Sequence, residues 1–281
     1  MSESAEAVAL RSALTALLER GPVLVALDFD GVLSPIVEQP DDARATPAGA
    51  AALARLATAP TISLALVSGR RLADLAAVAT PPSGTILVGS HGAERGSIEP
   101  DGRVRTEPLE LTDEQARTLR EVTETVTAMA ERAGGWVEHK PTAAVVHTRR
   151  LPEQAAADLE QAVLEAMEAQ AGLRVLHGKR VVEISVLHAT KGEAVTTLRE
   201  ATGAVGVLYA GDDVTDEDAL ASLGADDVGI KVGPGPTHAG HRVADPEALA
   251  AVLAELATLA EAASPGSPCD RHHPTSEGVR H

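Results

Sequence analysis

Residues 22–33, PVLVALDFDGVL, run from a continuous apolar stretch into acids and glycine. That is the pattern of a buried parallel strand emerging into a loop at its carboxyl end. ISLALVSGR (62–70) and TILVGSHG (85–92) repeat it, with helical spacing at roughly 47–58 and 71–79 between them. Ahead of the first strand, Val8, Leu10, Leu14, Leu17 and Leu18 predict a short helix lying on the core. The rhythm changes after about residue 108. A helix is predicted over 112–132, with Leu119, Val122, Val126 and Met129 along one side, followed by the strands WVEHK and AAVVHTR. A second helix over 152–170 carries Leu159, Val163, Ala166 and Met167, and the strands RVLH and RVVEISV follow. The first rhythm then resumes: a helix at 191–202, the strand GVLYAGDD, a helix near 215–222, the strand VGIKVG and a helix around 246–262.

The expected fold class is therefore α/β, a doubly wound, mostly parallel sheet interrupted by a smaller α+β domain. Residues 1–108 and 187–263 form the core, 109–186 the insert, and 264–281 a disordered tail rich in Pro, Ser, Gly and His. His272 and His273 in that tail are read as inert.

Composition narrows the picture. Hydrophobic residues make up 44% of 281, yet there is one Phe, one Tyr and one Trp, so the core is built from Ala, Leu and Val. A net charge of −17 argues against a nucleic-acid partner, which is held mainly by Lys and Arg. It leaves room for a small anionic substrate met by a local cluster of cations and a metal. The single cysteine, Cys269, forbids an intramolecular disulfide. No stretch is long and apolar enough for a bilayer, so a cytoplasmic protein without membrane contact is expected, and a monomer.

The chemistry collects where strands end. Asp28 and Asp30 flank Phe29, and two carboxylates so close need neutralising; Mg²⁺, bound by carboxylate oxygens, is the usual solution. Gly31 allows a sharp turn with free backbone amides. Ser68-Gly69-Arg70 offers a hydroxyl and amides suited to phosphate oxygens. Gly211-Asp212-Asp213, with Asp216, Glu217 and Asp218 one turn on, is too dense in acids for helix capping to explain alone. Only four lysines stand against twenty arginines, and Lys191, ahead of a helix and followed by Gly192, is the candidate active-site cation.

DFDG, SGR, the KG at 191–192 and GDDVTDED, in this order, resemble the four signature motifs of the haloacid dehalogenase superfamily. The resemblance implies a HAD-like Rossmannoid core with an inserted cap. It implies that Asp28 attacks phosphorus, and that Asp30 protonates the departing oxygen and then activates water. Ser68, Gly69 and Lys191 would hold the phosphoryl group; Asp28, the Asp30 carbonyl and Asp212 would bind Mg²⁺, with Asp213 and Asp216 behind them.

Within the insert, Trp136, Glu138 and Lys140 alternate with Val137 and His139, and Val145, His147 and Arg149 with Ala144, Val146 and Thr148. Glu183 and Ser185 alternate likewise with Val182, Ile184 and Val186. One sheet face is apolar; the other is either simply solvated or a reader of sugar hydroxyls, which need both donors and acceptors. DFDGVLSPI, GSHGAE, WVEHKPTAAVVHTR, GKRVVEIS and GDDVTDEDA together resemble the trehalose-6-phosphate phosphatase family across nearly the whole folded chain. By that resemblance the substrate is a sugar phosphate gripped by Glu138, Lys140, Arg149 and Glu183, with His91 and Gly92 at the domain interface. Thr190 departs from the family's usual Asn or Asp. Rival readings are a phosphatase for sucrose or mannosyl phosphate, a phosphorylation-switched receiver module, which lacks such an insert, and a silent regulatory domain.

Overall fold

The computed structural model describes residues 5–108, 111–168, 170, 172–187 and 189–263. The boundary expected at residue 109 and the whole tail from 264 lie outside the described residues.

A large sheet is built from β1 (Val23–Leu27), β2 (Ile62–Val67), β3 (Ile86–Gly89), β4 (Glu94–Ile98), β5 (Val104–Thr106), β10 (Gly206–Gly211), β11 (Val228–Val232) and β12 (His241–Val243). Their order is β12-β11-β10-β1-β2-β3-β4-β5. The run from β12 to β3 is parallel, and β4 and β5 add on antiparallel. Chain order reverses at β1, which pairs with β10 on one side and β2 on the other. A crevice opens outside the carboxyl ends of strands at such a switch point.

The continuous apolar character of β1 has a direct cause. Val23, Val25 and Leu27 pack with α1 (Ala5–Glu19), α2 (Pro47–Leu56), α3 (Leu72–Ala79) and α8 (Pro246–Ala263) on one face. Leu24 and Ala26 pack with α6 (Lys191–Thr202) and α7 (Val214–Ser222) on the other. Both faces are covered, so no position on the strand is free to be polar.

The insert forms a four-stranded antiparallel sheet, β6 (Trp136–His139), β7 (Ala143–His147), β8 (Arg174–Gly178) and β9 (Val181–Ser185), in the order β6-β7-β9-β8. α4 (Asp113–Ala133) and α5 (Glu153–Glu168) cover one face, where Val122, Val126, Leu159, Val163 and Met167 meet Ala144, Val146, Val182 and Ile184. α4 starts on a capping box between Thr112 and Gln115 and stops at left-handed Gly134.

Some sequence expectations need correction. Val8 is 48% exposed, while Leu10, Leu14 and Leu17 of the same helix are buried as expected. Of the four residues expected along one side of α4, Val122 and Val126 are buried and Leu119 and Met129 half-buried. The strands β4, β5 and β12 were not expected, because ERGSI, VRT and HRV are short segments, at or next to the sheet edges, without an apolar pattern. Among the described residues no helix is long and apolar enough to cross a membrane.

Candidate active site

Asp28 continues β1 by one residue, its N–H bonded to the Ala210 carbonyl of β10 at 3.0 Å. Its carboxylate is buried: Oδ1 accepts the Phe29 N–H at 2.6 Å, and Oδ2 accepts the Lys191 ammonium at 2.6 Å. Burial raises the Asp28 pKa well above the usual carboxylate range, and the opposing pull of Lys191 does not fully offset it.

Lys191 opens α6, behind a capping box between Thr190 and Glu193. Threonine therefore performs the capping that Asn or Asp would perform at that position. Burial alone would lower the Lys191 pKa, but Asp28 and Asp216 outweigh it and hold the ammonium charged. Asp216 is fully buried, and donors surround it. Oδ1 accepts from Lys191 (2.7 Å) and the Tyr209 hydroxyl (2.6 Å); Oδ2 accepts the backbone N–H groups of Asp212 and Asp213 (both 3.0 Å). It thereby ties α6, β10 and the loop carrying Asp212 into one unit.

Asp212 lies over Gly31: a Cβ on that glycine, whose φ is +76°, would stand 2.0 Å from Asp212 Oδ2. Carboxylate oxygens of Asp28, Asp212 and Asp216 all lie within 4.8 Å of one another. Three carboxylates against the single ammonium of Lys191 leave two negative charges in excess when all are ionised. Burial first, then Asp216 and Asp213, push Asp212 up to about 6. Such a hard, oxygen-only cluster with surplus charge fits a divalent cation. Each Asp216 oxygen accepts two donors whereas each Asp28 oxygen accepts one, so Asp28 and Asp212 are the carboxylates with capacity to spare.

Asp30 faces a different cation. Arg70 grips it bidentately, Nε to Oδ2 at 2.6 Å and Nη2 to Oδ1 at 2.7 Å, while Nη2 also donates to the Pro40 carbonyl at 2.9 Å. The two carboxylates of the DFD motif thus lean on separate partners, Lys191 and Arg70, which spacing alone did not foretell.

Ser68 is buried at the end of β2, and the loop after β3 holds its segment from behind. Ser90 and His91 donate their N–H groups to the Arg70 and Ser68 carbonyls at 2.7 and 3.0 Å. Both adopt left-handed backbone, at φ 47° and 57°, a strain that proteins keep mainly at functional loops. The His91 ring packs on Gly69, where a Cβ would approach it to 2.5 Å. Burial pulls the His91 pKa down to about 4, so the imidazole is neutral near pH 7. Gly92 packs against the Thr190 carbonyl and is not part of the cleft wall.

Above these groups lies the polar face of the small sheet. Lys140 Nζ donates to Glu183 at 2.8 Å and across to the Gly69 carbonyl at 3.2 Å. Arg174 crosses likewise, to the Ala189 carbonyl at 2.7 Å. Between the sheets is a cleft of about 700 Å³ lined by Asp28, Asp30, Ser68, Gly69, His91, Glu138, Lys140, Arg149, Glu183, Lys191, Asp212 and Asp213. That volume suits a small-molecule ligand. Of the site residues expected from sequence, Gly92 and Asp216 alone stand outside the lining.

Sequence reasoning gave no role to Arg70, Tyr209 or Lys231. Lys231 is buried and donates to the Asp212 carbonyl at 2.7 Å. The signals were present: the chain's one Tyr stands just before the acid loop, and three of four lysines reach the site region.

Residues 26–246 match the family described as Trehalose-phosphatase. A Mycobacterium tuberculosis protein described as an uncharacterized glycosyl hydrolase is 37% identical over 240 residues, 81% of this chain. This chain spans only 17% of that relative's length. A probable trehalose-phosphate phosphatase of Sinorhizobium fredii is 35% identical, covering 83% of this chain and 87% of its own. The solved trehalose-6-phosphate phosphatase of Aspergillus fumigatus has the same fold, with a TM-score of 0.66 at 24% identity over 88% of this chain and 97% of its own.

Proposed function

The chain belongs to the trehalose-phosphatase family, and from that premise we propose that it hydrolyses trehalose 6-phosphate to trehalose and inorganic phosphate. The observation that carries the reading is the Asp28 carboxylate, aimed from the end of β1 into a cleft that it shares with Ser68, Lys191 and the polar sheet face.

An Asp28 oxygen attacks phosphorus, the bond from phosphorus to the sugar oxygen breaks, and Asp30 gives that oxygen its proton. A sugar alkoxide is a poor leaving group, so the proton is essential to this step. Asp30 then takes a proton from water, which attacks phosphorus and breaks its bond to Asp28. Lys191 and Ser68 hold the phosphoryl oxygens as charge shifts among them. Asp28, Asp212 and the Asp30 carbonyl hold Mg²⁺, with Asp213 and Asp216 behind; when bound, the ion supplies charge stabilisation at the phosphoryl group.

His91, Glu138, Lys140, Arg149 and Glu183 contact the sugar. Neutral His91, paired acids and a lysine offer the mixture of donors and acceptors that a disaccharide's hydroxyls require.

Phosphate release from a panel of sugar phosphates, for wild type and Asp28→Asn, tests the reading. Trehalose 6-phosphate should be strongly preferred, and Asp28→Asn should remove nearly all turnover while leaving the fold intact. Turnover within a few-fold of wild type would sink the covalent route; equal rates across the panel would sink the substrate.

A further inference from the structure

Trp136 is the chain's only tryptophan, and it does not serve the core. It stands on β6, the outer strand of the small sheet, on the face turned away from α4 and α5, and is 40% exposed. Opposite it in register on β7 is His147. The two rings stack, with centroids 3.9 Å apart and planes within 6°. The Arg150 guanidinium lies 5.9 Å from the indole centroid.

His147 in turn reaches diagonally across the strand pair. Its Nε2 lies 3.0 Å from Glu138 Oε2, and this bond is the largest influence holding the Glu138 carboxyl below its ordinary pKa. Glu138 Oε1 accepts no hydrogen bond from any described residue, and both Glu138 and His147 line the cleft. Trp136 is not part of the lining.

A glutamate has three rotatable side-chain bonds, so holding one carboxylate oxygen fixes where the other points. An imidazole can serve as that holder only if its own ring plane is fixed, and stacking on a rigid indole fixes it. The neighbouring acid Glu183 is held differently, by Lys140.

We propose that Trp136 and His147 are positioning residues for sugar recognition: stacking sets the His147 plane, and His147 presents the free oxygen of Glu138 to a substrate hydroxyl. This rests on the reading of Glu138 as a sugar contact. Neither ring need touch the substrate.

The test is a pair of double-mutant cycles read as kcat/KM for trehalose 6-phosphate, with melting temperatures recorded alongside. Glu138→Ala should lose roughly ten- to hundred-fold. Trp136→Leu and His147→Gln should each lose roughly two- to ten-fold, the worth of one well-placed hydrogen bond. Trp136→Phe, which keeps a flat ring, should restore most of the loss. In the Glu138→Ala background neither substitution should cost anything further, because the group they position is gone. Full additivity in both cycles, or loss in Trp136→Phe equal to that in Trp136→Leu, would overturn the proposal. If Trp136→Leu folds poorly, the His147→Gln cycle decides by itself, and full additivity there would overturn the proposal. If Glu138→Ala itself keeps full kcat/KM, the sugar-contact reading of Glu138 fails first, and the proposal with it.

Discussion

A methyl group at Gly31 separates backbone strain from damage to the site. At φ +76° the residue sits where an L-alanine costs about 1–2 kcal/mol. For a chain of this size that is a fall in Tm of roughly 2–8 °C. The added Cβ would also stand 2.0 Å from Asp212 Oδ2 and 2.3 Å from its Cγ. Relief to ordinary contact requires a displacement of about 1.4 Å, and misplacement by about 1 Å at a reacting centre costs on the order of a hundred-fold. Gly31→Ala should therefore lose about a hundred-fold in kcat/KM and need more Mg²⁺ for half-activation, while its melting temperature falls by only a few degrees. Gly203 is the control. Its φ is +65°, and nothing lies within 4 Å of the Cβ position, so Gly203→Ala carries the strain without the clash. It should show a similar fall in Tm with full activity. Phosphate release against Mg²⁺ concentration, with thermal melts of both variants, measures all of this. If Gly31→Ala kept kcat/KM and Mg²⁺ half-saturation within about three-fold of wild type, the loops after β1 and β10 would not form one site.

Other outcomes follow from the same geometry. Asp216→Asn puts an NH₂ group among donors and breaks the buried pair with Lys191, so unfolding free energy in urea should drop by about 3–5 kcal/mol, and an unchanged midpoint would refute the hub. Chelator should abolish activity and Mg²⁺ restore it; full activity in EDTA would contradict the metal site. Because Asp212 is raised to about 6, the folded protein in chelator keeps a proton that the unfolded chain has lost between about pH 4 and 6. Its contribution therefore falls as pH rises through that window, and the Tm increase on adding Mg²⁺ should grow from pH 5 to 7; a pH-independent increase would argue against Asp212 as a ligand. Lys140→Ala and Glu183→Ala should each lower kcat/KM for trehalose 6-phosphate about ten- to hundred-fold more than for para-nitrophenyl phosphate, and equal losses would mean that they only hold the cap together.

Much of this site was legible along the chain because its parts obey local rules. A parallel strand covered on both faces must be apolar until it leaves the sheet, so PVLVAL and GVLYAG announce where Asp28 and Asp212 emerge. Period-two alternation likewise separated Glu138, His147 and Glu183 from the core face of the cap. The short strands β4, β5 and β12, at or next to the sheet edges, carry no such rule, since their residues are neither buried on both faces nor strictly alternating, and they were missed.

What the sequence by itself determined, then, was the order of strands and helices, the acids and lysine at strand ends, and which side of each cap strand is polar. Tertiary structure alone decided the pairings: Asp28 with Lys191 across 163 positions, Asp30 with Arg70 across 40, and Lys140 on the Gly69 carbonyl across 71. It also decided that Asp216 would be enclosed by four donors, and that Trp136 would stack on His147 and stay out of the core. Periodicity reports only whether a side chain turns toward apolar or polar surroundings. Which charge meets which depends on strand order and on cap placement, and those are settled by packing apolar surface between elements far apart in sequence.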